Sequence, residues 1–188
     1  MSEHTIILGD YIAPASRVPI STLEVQVLPD DLLAEWQRCG ETADFLASYI
    51  AHHFDQPEQV VNVLSTILNE LVENAIKFSA DKRTMVSLGV SYYGNSVTMT
   101  ATNPANASQV DEFRVLIDQL LTVDPELLFL ARIEATAMIE DDSSGLGLIT
   151  IRKDYSSGIG VRIRPIPGSE LREISVQLHI ESAILQSD

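Results

Sequence analysis

Glu70, Asn74 and Lys77 stand at i, i+4 and i+7 within Asn69-Glu70-Leu71-Val72-Glu73-Asn74-Ala75-Ile76-Lys77-Phe78-Ser79. On a helix this spacing puts a carboxylate, an amide and an ammonium on one face. The amide oxygen is a hard ligand for Mg²⁺, the carboxylate can orient a hydroxyl nucleophile, and the ammonium can meet a phosphate. Any amphipathic helix also shows a polar face, so this helix alone defines no site. The second candidate is Asp142-Ser143-Ser144-Gly145-Leu146-Gly147-Leu148-Ile149. Glycines opening a helix let backbone N–H groups approach an anion, and the helix dipole favours negative charge there. One G-x-G is equally an ordinary loop-to-helix turn; the two pieces gain meaning only together.

The elements that must position them follow from periodicity. Residues 20–28 alternate apolar and polar and end at Pro29, as a strand does. An apolar-periodic stretch from Leu32 to about Phe54 reads as one helix, or two broken near Gly40. A helix from Pro57 to about Phe78 carries Val60, Leu64, Ile67, Leu71, Ala75 and Phe78 on one side, opposite the polar trio. Two strands, 84–91 and 96–102, are joined through Tyr93-Gly94-Asn95 as a hairpin. Ser108 with Asp111 begins one further helix and Asp124-Pro125-Glu126 another. A short helix runs from the glycine turn to about Tyr155, and strands 159–164 and 173–181 close the chain through Pro167-Gly168-Ser169. The expectation is an α+β two-layer sandwich with a mixed, mostly antiparallel sheet and helices on one face. Residues 1–188 form one domain, with 1–29 as extension and first strand and 106–143 as a helical region over the site. The apolar residues 5–8 could pair with a second subunit as an edge strand, which leaves a homodimer open.

Composition narrows the function classes. Of 188 residues, 45% are hydrophobic and 21% charged, the balance of a soluble globular domain. A formal charge of −15 argues against DNA or RNA as partner and obliges any anionic ligand to find a local positive field. The absence of a long apolar run or signal-like N-terminus predicts no membrane association and a cytoplasmic address. Cys39 is the only cysteine, which excludes an internal disulfide. His52-His53 reads as a helix C-terminus, where positive charge is favourable.

The two candidate pieces resemble motifs of a known superfamily. ELVENAIKFS (70–79) resembles the N-box of GHKL, or Bergerat-fold, ATPases, and SSGLGLITIRKDY (143–155) resembles their second glycine box. VTMTATNPA (97–105) takes the place of the strand that ends in the family's Asp-x-Gly box. The resemblance spans about 58–181 in the family's order. It implies ATP and Mg²⁺ as cofactors, with Asn74 as Mg²⁺ ligand, Glu70 as general base and Lys77 near phosphate. Ser144, Gly145, Leu146 and Gly147 would form the turn that gives donors to the phosphates, and Asn103 would face adenine where the family has an aspartate. Asn103-Pro104-Ala105 departs from Asp-x-Gly in both charge and glycine, and a neutral acceptor binds more weakly than a carboxylate.

Size argues against the multidomain members, and His52-His53, followed by Phe54-Asp55, is unlike the pattern of a phosphoacceptor helix. The remaining resemblance is to small stand-alone anti-sigma-factor serine kinases and SiaB-like protein kinases. It implies transfer of phosphate to a serine or threonine of a small STAS-like regulatory partner in a partner-switching system. The competing expectation, from the altered Asn103 box, is a catalytically silent GHKL-like interaction module that has lost ATP.

Overall fold

The computed structural model describes residues 4–13, 16–136, 146–155 and 157–186. Its strands are β1 (Ile6–Gly9), β2 (Ser21–Val27), β3 (Val86–Tyr92), β4 (Ser96–Ala105), β5 (Gly158–Pro165) and β6 (Arg172–Glu181). Its helices are α1 (Pro29–Ala34), α2 (Gln37–Ala51), α3 (Pro57–Lys77), α4 (Ala107–Thr122), α5 (Pro125–Thr136), α6 (Leu146–Tyr155) and α7 (Ser182–Leu185). The strands form one sheet in the order β1-β5-β6-β4-β3-β2. Every ladder is antiparallel, where a mixed sheet was expected. Hairpins account for β3–β4 and β5–β6, and Gly94 and Gly168 supply the positive φ those turns need.

Alternation divides the sheet into two unlike faces. In β4, Val97, Met99 and Ala101 are buried in the core cluster, while Thr98, Thr100 and Thr102 point the other way. The apolar face is covered by α3, which buries Val60, Leu64, Ile67, Leu68, Leu71, Val72, Ala75 and Ile76. α2 packs beside it through Leu46, Ala47 and Ile50. Lys82 holds the far end of α3: its ammonium donates to the carbonyls of Ile76 and Lys77, satisfying acceptors that a helix C-terminus leaves open.

The first helical stretch breaks at Glu35-Trp36, ahead of the expected Gly40, which lies inside α2. α4 starts at a capping box in which Asn106 Oδ1 accepts from the Gln109 N–H and Gln109 Oε1 accepts from the Asn106 N–H. Ile6–Gly9 pair with β5 of the same chain, and β1 forms one edge of the sheet. No helix among the described residues is long and apolar enough to cross a membrane.

Because β1 and β2 occupy opposite edges, the chain between them must cross the sheet. It does so on the polar face. The Asp10 N–H donates to Ile159 O, Ile12 exchanges two hydrogen bonds with the Gln177 side chain, and the Ile20 N–H donates to Tyr92 O. This strap takes the place of a second helical layer.

Ile67 is fully buried at the centre of α3. Ile67→Ala should therefore cost about 2–5 kcal/mol, read as a lower urea midpoint with an unchanged m-value. A loss below about 1 kcal/mol would show that α3 is not the keystone of the core.

Candidate functional site

α3 uses its two faces differently. Its apolar side fills the core, and its polar side carries Glu70 and Asn74 toward α6 and α4. Asn74 borders a cavity of about 210 Å³ between the helical layer and strands β4 and β6. Leu71, Ala75 and Phe78 of α3, Ala101 and Ala105 of β4, and Leu148 of α6 line the same space. α4 adds Gln109, Glu112, Phe113 and Leu116 as the opposite wall. The walls are apolar, with Asn74, Gln109, Glu112 and Arg132 as the polar groups.

Glu70 brings the two sequence motifs into contact. A Cβ built on Gly147 would overlap Glu70 Oε2, so only a glycine lets the carboxylate sit there undisturbed. Burial raises the Glu70 pKa above the ordinary carboxylate range, repulsion from Glu73 adds to it, and Lys77 opposes both. A carboxylate in that condition is a better proton acceptor near neutral pH than a free glutamate.

The other sequence candidates are distributed less compactly. Lys77 donates to Glu73 Oε2 at 3.2 Å, lies 5.8 Å from the Trp36 ring centre, and does not border the cavity. Asn103 is buried, and its Nδ2 donates to Phe78 O at 3.2 Å and to Pro104 O at 3.3 Å, tying the end of α3 to β4. It too is separate from the cavity that Asn74 borders. Leu146 and Gly147 open α6, whereas Ser144 and Gly145 lie outside the described residues. Of the region 106–143, α4 and α5 are helical as expected, and 137–143 also lie outside them.

Sequence reasoning missed the α4 wall. Its signal was available in Asn106-x-x-Gln109, which fixes the start of α4 and so points Gln109 and Phe113, one turn apart, at the same space. The withdrawal of Lys77 was legible too, since Glu73 and Lys77 have the i, i+4 spacing of a helix ion pair. Among the described residues no group of three or more His, Cys, Asp or Glu side chains could hold a metal ion.

These elements define a class of fold: a two-layer α+β sandwich, with an antiparallel sheet whose helical side carries a cavity at the junction of α3, α4 and α6. No family model matches the chain. No curated protein matches it either. Among solved structures, a chain from the crystal structure of the SiaB–SiaC complex of Pseudomonas aeruginosa has the same fold. The TM-score is 0.65 at 13% identity, covering 88% of this chain and 93% of that one.

Two measurements test the Glu70 environment. At about pH 3.5, below the ~4.3 of a free glutamate, Glu70 is largely protonated in folded and unfolded chains alike. Above its raised folded value, the folded chain carries a charge that the unfolded chain bears at less cost. Glu70→Gln should thus be more stable than wild type at pH 7, and urea titrations should show that gain vanishing toward about pH 3.5. A gain independent of pH would mean the carboxylate charge is not its source. Separately, Gly147→Ala should destabilise less in a Glu70→Ala background, with a coupling above about 0.5 kcal/mol. Strict additivity would deny the contact.

Proposed function

We propose that the chain is a protein kinase of the partner-switching kind, binding Mg·ATP at the α3–α4–α6 cavity and phosphorylating a serine or threonine of a small STAS-like regulatory protein. The observation that carries this reading is the convergence of Asn74 on the cavity with Glu70, one turn earlier, seated against Gly147. The residues present fit the group. Apolar walls from Leu71, Ala75, Phe78 and Leu148 suit a planar base, and Asn74 offers a hard amide oxygen for Mg²⁺. At about 210 Å³ the cavity is below the ~300 Å³ of a drug-sized pocket, so it suits the base alone, with the phosphates toward the start of α6.

Bound Mg·ATP would supply the phosphoryl group and neutralise part of its charge. Glu70, with its raised pKa, would accept the proton of the partner's hydroxyl. The first turn of α6, with Leu146, Gly147 and the preceding Ser144 and Gly145, would give the phosphates their donors. Asn103, outside that cavity and with its Nδ2 holding Phe78 and Pro104, would not serve the base there. Lys77 could serve phosphate only by leaving Glu73. A protein partner is in keeping with the fold neighbour, which was solved as a complex of two proteins. The net charge of −15 favours a partner with a basic docking surface.

The Asn103 contacts also favour a second reading, a catalytically silent module that meets its partner without nucleotide. Here the end of β4 offers no carboxylate for a nucleobase, and the Asn103 amide serves the fold instead.

Calorimetry with Mg·ATP separates the two. On the kinase reading, wild type binds, Asn74→Ala binds at least about tenfold more weakly when Mg²⁺ is present, and Gly147→Ala is impaired. Glu70→Ala should keep binding and lose about 10²–10⁴-fold in transfer to a small partner. No heat from wild type at millimolar nucleotide would overturn the kinase in favour of the silent module.

A further inference from the structure

The polar face of the sheet carries a second cavity, on the side opposite the one proposed for nucleotide. Its floor follows a single register row, Glu24, Gly89, Thr100 and Gln177, which Gly160 continues beneath the strap. The two glycines make this row low. At Gly160 the reason is internal, because a Cβ there would overlap the backbone of Tyr11 in the strap. At Gly89 none of the described residues presses in: a Cβ would meet only Leu23 O, at an ordinary 3.6 Å. A glycine inside a strand weakens it unless something approaches closely, and no element among the described residues does so at Gly89. The space above it is a cavity of about 240 Å³ under the strap.

The walls decide what would fit. Hydroxyls dominate: Thr22 and Ser91 are bonded at 2.8 Å, Thr102 donates to Ser175 at 3.0 Å, and Thr100 stands between the pairs. Arg162 closes one end, 5.1 Å from the Tyr11 ring centre. Its Nε is buried with no acceptor among the described residues. Charge is balanced, since Arg162 and Arg164 both face Glu173, and Glu24 stands on the far wall. A phosphate would meet no net positive field, an apolar ligand would strip the hydroxyls of solvent, and no metal-ligating cluster is present among the described residues.

We propose that this cavity binds a small neutral polyol, a single monosaccharide or cyclitol ring. Such a ring presents the alternating donors and acceptors that the threonines, serines and Arg162 complement, and Tyr11 gives it an aromatic neighbour. Its size agrees, because about 240 Å³ is less than a drug-sized ligand needs. The proposal is independent of the nucleotide reading, for the two cavities lie on opposite faces of the sheet.

The test is a ¹H–¹⁵N NMR titration of the full chain with glucose, galactose, mannose and myo-inositol, each to tens of millimolar, with inorganic phosphate as the charged control. At least one polyol should shift Thr22, Gly89, Ser91, Thr100 and Tyr11 together, leaving Asn74 and Leu148 unmoved. Gly89→Val, a residue suited to a strand, should weaken that response at least tenfold by filling the floor. Thr100→Val, nearly isosteric, should weaken it in the same direction if Gly89→Val perturbs the fold. The proposal is overturned by no shift from any polyol, by equal shifts in wild type and both variants, or by a response to phosphate alone.

Discussion

The architecture depends on a sheet that buries one face and leaves the other polar. The apolar rows of β3, β4, β5 and β6 need a cover, and α3 with α2 provides it. The remaining face cannot be dry, because Thr98, Ser175 and Gln177 are buried polar groups that need partners. The strap supplies some of them, with Ile12 and Gln177 exchanging backbone and amide bonds. Both cavities arise from this asymmetry. One lies where helices α4 and α6 leave a gap beside α3, the other where the strap leaves a gap above the sheet.

On the helical side the constraint passes through α3. A helix whose apolar stripe is fully engaged has no freedom to rotate, so its polar stripe points where the core dictates. Glu70 is carried against Gly147 and Asn74 against the cavity, while Lys77, at the last turn, folds back on Glu73. The desolvation of Glu70 follows from the same rigidity. A carboxylate on a loosely held helix would swing into water and keep its ordinary pKa.

The features legible in the sequence were local and periodic. The α3 span, the Gly94 and Gly168 turns and the start of α5 at Asp124-Pro125 follow from spacing, proline and glycine chemistry within a few residues. The break between α1 and α2 was misplaced because Gly40 is tolerated inside a well-packed helix, while the backbone turns at Glu35. Of the candidate residues, Glu70 meets Gly147 and Asn74 borders the cavity, as motif spacing suggested, but the Asn103 amide is claimed by Phe78, a contact decided by where α3 ends over β4. The strap was not legible at all. That Tyr11 must lie on Gly160 depends on β1 and β2 falling at opposite edges, and no window of neighbouring residues encodes an edge.

The pairing of β1 with β5 also bears on how the chain is made. The ribosome delivers Ile6, Ile7 and Leu8 well before their mates Ile163, Arg162 and Val161. Until then the nascent chain carries an unmated apolar strand and an unanchored strap, while β2, β3 and β4 can already assemble. A chaperone or a neighbouring nascent chain could occupy that strand in the interval. The outer face of the sheet is therefore completed only once β5 and β6 have emerged, and slow translation would lengthen its vulnerability.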